Sequence, residues 1–300
     1  MKTVQAALCV AAIALAGIMV DAQSGVFFNE GWESGSAASS FNSNWYGQAT
    51  QSQFSVQSAV RNGLFALQHR VTAGQDPGAV QYATQHFGDA RSGPVWSTGA
   101  GQHYYDLYIQ YKVYYSAGFS FDTNYKQLII GTEDDLNQTS ACCNPWVAHY
   151  ITIYVGPQGA QLAEGNNKQS ASGQWMDFWP NANGYTNSNR LRLTSGRWYT
   201  IEVRRRLNDS GQNNGIFQMW VDGTMIADYR SVRMRVPRSG SFGTNMTYGT
   251  NFALISDYPF DGVSQNQSIY YDDVKFSTAY IGTGGAQPPS APTNLRIVGN

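Results

Sequence analysis

The sequence predicts an all-β chain folded as one large sandwich of antiparallel sheets, and three observations lead there. From Val26 to Tyr280, apolar and polar residues alternate in short runs, the two-residue period of a strand that buries one face. Gly, Asn, Asp and Pro punctuate those runs where turns are needed. No stretch shows a convincing helical period, and about a dozen strands in roughly 260 residues suit a single domain, since all-β domains of that size commonly stay undivided.

In chain order the runs are "SVQSAV", "LFALQHRV", "AVQYATQHF", "YYDLYIQYKVYY", "YKQLIIGT", "HYITIYVG", "RLRLT", "WYTIEVRRRL", "GIFQMWVDG", "TMIADYR", "NFALISDY" and "SIYYDDVKFS". Each joins β-branched or aromatic residues to polar ones, the mixture a half-buried pleated surface favours. No repeat of fixed period is present.

Two ends stand outside this pattern. Residues 1–22 carry Lys2, an apolar stretch from Ala6 to Val20, and small residues at Val20 and Ala22 where a signal peptidase cuts. This is the pattern of a secretory signal peptide, which predicts a mature chain from Gln23 in an extracellular or periplasmic setting. The stretch is shorter than the ~20 apolar residues of a spanning helix, and nothing else approaches that length, so no membrane span is expected. Residues 283–300, "TGGAQPPSAPTNLRIVGN", form a Gly- and Pro-rich tail. Its "PPSAPTNLRIV" resembles the opening strand of a fibronectin type III module.

Composition excludes some classes of function. Lys and Arg total 19 against 20 Asp and Glu, a net charge of -1, so no basic surplus exists to neutralise phosphates and nucleic acid is not an expected partner. Of three cysteines, Cys9 leaves with the signal peptide and only adjacent Cys142 and Cys143 remain. A vicinal disulfide, two free thiols and intermolecular bridges all stay open. Without a second Cys pair or a His-x-x-x-His spacing, a zinc site is not indicated.

The stretch "GRWYTIEVRRRLNDSGQNNGIFQMWVDG" carries the functional argument. Strand side chains alternate between faces, so Tyr199, Ile201 and Val203 form a core side, while Trp198, Thr200, Glu202, Arg204 and Arg206 form the other. On the returning strand, Phe217, Met219 and Val221 are core, opposite Gln218, Trp220 and Asp222. The charges therefore line a face expected to be wet. A face with Glu202, Arg204, Gln218 and Trp220 suits a sugar polymer: flat rings stack on pyranose faces, and amide, guanidinium and carboxylate groups pair with hydroxyls. Tyr104, Asp106, Tyr108, Gln110, Lys112 and Tyr114 repeat the mixture opposite Leu107, Ile109 and Val113, as do Tyr150, Thr152 and Tyr154 opposite Ile151 and Ile153.

That stretch, together with "YRSVRMR", "IYYDDVKFSTAYIG" and "FFNEGWESG", resembles the concanavalin A-like lectin/glucanase superfamily, and more narrowly the alginate and glucuronan lyases. The resemblance covers most of Val26 to Gly282 and is strongest from residue 196. It implies a β-jelly roll of two antiparallel sheets, residues 23–282, with polysaccharide in the groove of one of them.

For the lyases it implies a cation or amide on the uronate carboxylate, a Tyr, His or Lys that removes the C5 proton, and a Tyr that protonates the leaving oxygen, with no cofactor. Lys126 in "NYKQLIIG" matches a lysine that opens a central strand in the alginate lyases. Tyr150, Thr152 and Tyr154 lie where the next catalytic strand runs, but the arginine expected there is absent. The candidate site is therefore Lys126 or Arg204 as carboxylate clamp, Tyr150 or Tyr154 as base and acid, and Gln218, Trp220, Glu202 and Tyr108 as substrate contacts. His86 and His149 are the available imidazoles.

The superfamily's glycoside hydrolases need two carboxyl groups on one face. "TEDDLN" places Glu133, Asp134 and Asp135 in succession, so that chemistry is not indicated. The resemblance also implies a structural calcium ion, for which Asp273 in "YYDDV" and the acidic "NEGWESG" supply oxygen ligands. A non-catalytic, lectin-like or matrix protein that binds an extracellular polysaccharide remains the alternative to a lyase.

Overall fold

Among the described residues the alternation is realised as thirteen strands in two antiparallel sheets. A computed structural model describes residues 25–33, 35, 54–57, 65–74, 83–86, 103–133, 147–157, 159–165, 191–235, 237, 249–259 and 261–283. The strands are β1 (Val26–Glu30), β2 (Phe54–Gln57), β3 (Ala66–Val71), β4 (Ala83–His86), β5 (Asp106–Tyr115), β6 (Tyr125–Glu133), β7 (Val147–Gly156), β8 (Gly159–Gly165), β9 (Trp198–Arg206), β10 (Gly215–Val221), β11 (Thr224–Val232), β12 (Phe252–Pro259) and β13 (Gln267–Ser277). Among the described residues there is no helix. The proposed signal peptide, the cysteine pair and most of the tail lie outside the described residues.

The larger sheet has eight strands in the order β11-β10-β9-β5-β13-β3-β2, with β1 also pairing β13. The smaller has five, in the order β4-β12-β6-β7-β8. The turn from β10 to β11 is the two-residue Asp222-Gly223, with φ of 48° and 77°. Positive φ at both positions is what a type I′ hairpin requires, and Asp-Gly supplies it at low cost.

The sheets pack face to face over Leu107, Ile109, Tyr111, Val113, Tyr199, Ile201, Val203, Phe217, Met219 and Phe276 from the larger, with Tyr125, Leu128, Ile130, Ala253 and Ile255 from the smaller. The core sides assigned to β5, β9 and β10 by alternation are those observed. The core also holds polar side chains that bond across the layers. Gln127 accepts from Tyr111 at 2.9 Å and donates to Tyr115 at 2.7 Å. His69 Nδ1 lies 2.9 Å from Asp257 Oδ2, and Tyr271 donates to Asp257 Oδ1. Burial holds the Tyr111, Tyr115 and Tyr271 hydroxyls well above the usual phenol range.

Two strand expectations are corrected. Residues 191–194 of "RLRLT" are irregular, because the Thr194 amide and hydroxyl are bonded by Tyr199 Oη at 2.7 and 2.9 Å in place of a neighbouring strand. β8, "GAQLAEG", pairs with β7 although its sequence carries little apolar alternation.

Candidate functional site

The expected site divides between the two outer faces of the sandwich. On β6, Tyr125 is buried and accepts a 2.6 Å bond from Gln267 of the other sheet, so it faces inward. Lys126, the next residue, faces away from that sheet. The register pairs Lys126 with Tyr154 on β7 and with Tyr258 on β12, and pairs Gly131 with Tyr150. These pairings place the backbone positions of Lys126, Tyr154 and Tyr258 in one register row; the side chains of Tyr150 and Tyr154 lie outside the described residues. A bulge follows Lys126 in the β6–β7 ladder, and the successive residues Gln127 and Leu128 are both buried there. Partial burial lowers the Lys126 ammonium below the usual lysine range by desolvation.

Arg204 lies on the other side of the molecule. Val203 and Arg205 point into the core, where Arg205 donates to Thr250, so Arg204 between them points outward from the larger sheet. It forms a fork on Asp106, at 2.9 Å from Nε and 2.6 Å from an Nη, donates to Gln218 at 3.2 Å, and sits 5.2 Å from the Tyr108 ring centroid. Hydrogen bonding to Asp106 raises its pKa further. Lys126 and Arg204 therefore do not converge on one groove, and the clamp role cannot be shared between them.

The outer face of β9 and β10 is not the wet surface the sequence suggested. Glu202 and Trp220 are each 2 % exposed and Tyr108 is 9 %, because the chain after β13 crosses them as a strap. Tyr280 packs on Trp220 and Tyr108, with ring centroids 5.0 and 6.2 Å apart. Ile281 and Gly282 donate their amides to the two Glu202 oxygens at 2.8 and 2.9 Å. Gln110 Nε2 donates to Glu202 at 3.1 Å and to the Gly282 carbonyl at 2.8 Å. Burial raises the Glu202 pKa against the opposing pull of these bonds. Trp220, Tyr108 and Glu202 thus serve the strap, and Gln218 bonds to Arg204 and Asp228.

At Asp273, the expected calcium ligand, the Lys112 ammonium lies 2.6 Å from the carboxylate. Asp272 beside it is buried and accepts the Asp273 amide at 2.8 Å. Among the described residues no group of three or more His, Cys, Asp and Glu is placed to hold a metal ion. His86 and His149 sit in β4 and β7, in register with Phe252 and Thr132. Sequence reasoning missed the His69, Asp257 and Tyr271 cluster and the buried Arg205. The step that put Ile201 and Val203 in the core also reaches Arg205.

The order of strands and the two-layer packing can be compared with known proteins. No protein-family model and no curated protein matches the chain. Solved structures do. The endo-beta-1,4-glucuronan lyase of the fungus Trichoderma reesei superposes with a TM-score of 0.53 at 15% identity, over 85% of this chain and 96% of that one. The chain has the jelly-roll fold of the lyases. The marine PL-14 alginate lyase from Aplysia kurodai gives 0.52 at 12% identity, over 76% of this chain and 88% of that one. Alginate lyase Aly36B, with a lysine and a tyrosine each replaced by alanine and in complex with an alginate tetrasaccharide, gives 0.51 at 13% identity, over 83% of this chain and 96% of that one. Among the described residues no helix is long and apolar enough to cross a membrane.

Proposed function

We propose that the protein is secreted and binds a uronate-containing polysaccharide along the outer face of the five-stranded sheet, cleaving it by β-elimination. The observation that carries this reading is the Lys126 row: a partly desolvated ammonium register-paired with Tyr154, on the side of β6 turned away from the core. The jelly-roll neighbours named above as glucuronan and alginate lyases support it. So does the altered Aly36B, whose two substitutions are of the same residue types.

In this reading Lys126 sits against the uronate carboxylate and stabilises the negative charge that spreads onto it as the C5 proton leaves. Tyr154 or Tyr150 serves as base and as acid. The C5–H and C4–O bonds break, a C4=C5 double bond forms, the C5 proton passes to the base, and the leaving oxygen takes a proton from the acid. No metal or organic cofactor is required.

A second reading, a lectin-like or matrix protein that binds without turnover, is favoured by one observation. β7 lacks the arginine that the lyase resemblance leads one to expect, and Arg204 is held by Asp106 on the opposite face. Incubation with alginate and glucuronan, following the absorbance of unsaturated chain ends, separates the two. The lyase reading expects new absorbance that Lys126→Ala abolishes. Binding without absorbance sinks it in favour of the lectin-like reading.

A further inference from the structure

The strap seals one group of rings on the larger sheet, but another lies two register rows away. Trp198 on β9, Tyr114 on β5 and Tyr270 on β13 are register partners across three adjacent strands. Their core-side neighbours Tyr199, Tyr115 and Tyr271 are buried, so by alternation these three point outward. The Tyr114 ring centroid lies 5.5 Å from that of Trp198 and 5.9 Å from that of Tyr270. All three residues are part-exposed, in contrast to the covered Trp220 and Tyr108.

The rim of the row is polar. Gln68, itself buried, donates to the Tyr270 hydroxyl at 3.0 Å and to Ser268 Oγ at 2.9 Å and so fixes the edge of the row. Arg70, paired in register with Ser268, is exposed. Lys112 and Thr200 are register partners on the inner side of the row. The apolar surface is thus a strip one ring wide, with the Lys112 and Asp273 ion pair on its inner side and Ser268 and the Arg70 guanidinium on the other. A protein partner anchors on a broader apolar patch with a desolvated centre. A sugar chain presents C–H faces to rings and hydroxyls to the rim. Arg70 adds a guanidinium for a carboxylate.

We infer that Trp198, Tyr114 and Tyr270, with Ser268 and Arg70 as rim, form a second glycan-binding surface that holds an acidic polysaccharide against the side of the molecule opposite Lys126. The inference rests on the reading that the protein engages a polyuronate. Two surfaces on one domain raise the effective concentration of polymer at each, so a long chain is retained between encounters with the Lys126 row.

The test is retardation of the protein in native gels cast with alginate or glucuronan. Wild type is expected to be retarded, and Trp198→Ala/Tyr270→Ala to lose affinity at least about tenfold, a change of roughly 1.4 kcal/mol, with an unchanged far-ultraviolet dichroism spectrum. Arg70→Ala changes an exposed side chain and provides a second arm should the ring variant fail to fold. It is expected to weaken retardation by polyuronate in a salt-sensitive way. Retardation of both variants equal to wild type overturns this inference and leaves the proposed function standing. Wild type that is neither retarded nor produces unsaturated ends from either polymer overturns both.

Discussion

Glu202 and Ile281 meet at 2.8 Å, the strand carboxylate accepting the strap's backbone amide, while its second oxygen takes Gly282 at 2.9 Å. Removing this acceptor in Glu202→Ala leaves two amides without their carboxylate, an expected loss of about 1–3 kcal/mol. The strap should loosen, and Trp220 emission should shift to the red and become open to quenchers. Unchanged emission would show that Tyr280 holds the strap alone.

The same carboxylate gives a pH signature. Burial raises its pKa in the folded chain, so the folded state holds the proton more tightly than the unfolded one. Its contribution to stability is fully present below the usual carboxylate range and is lost as pH rises through the raised value. Glu202→Gln should flatten that part of the melting-temperature profile. A slope identical to wild type would assign it to other groups.

Arg204→Ala separates the two faces. The Arg204 and Asp106 pair is part-exposed, and such pairs contribute up to about 1 kcal/mol, so the melting temperature should fall slightly. Turnover or binding at the Lys126 row should be unaffected. A large drop in polyuronate cleavage by a normally folded variant would return Arg204 to the reacting centre.

The division of the site was hidden from the sequence for a physical reason. Alternation within β9 and β10 assigned Ile201, Val203, Phe217 and Met219 to the core and Arg204 and Gln218 to the other side, as the structure has them. Alternation is a local property, however, and says nothing about which strands share a sheet. β6 pairs with β7 and β12, whereas β9 pairs with β5 and β10. These non-local partners put Lys126 and Arg204 on opposite faces. The strap was illegible because "TAYIG" has no period, and its anchor Glu202 looks like a solvated charge until the chain returns over it.

The interlayer cluster around Asp257 predicts a large stability effect. Asp257 has φ of 44°, at a bulge where β12 loses register with β6, a backbone that Asp tolerates better than most residues. Asp257→Ala takes the acceptor from both His69 and Tyr271, each loss costing about 1–3 kcal/mol, while Asp257→Asn keeps one acceptor and should cost less. Urea unfolding of the two variants checks the order. Midpoints equal to wild type in both variants would mean that the cluster adds nothing to holding the sheets together.

Lys126 sets the alkaline limit of activity if it clamps the substrate carboxylate. Desolvation disfavours its charged form and lowers its pKa, so the ammonium that stabilises the developing enolate is lost as pH rises through a value below the usual lysine range. Polyuronate cleavage should fall along that limb in wild type. Lys126→Arg, whose guanidinium stays charged, should carry the limb to higher pH even where its rate at neutral pH is reduced by altered reach. A profile whose alkaline limb is the same in both proteins would remove Lys126 from the clamp role and assign the limb to another group, with the tyrosines of β7 the first to replace.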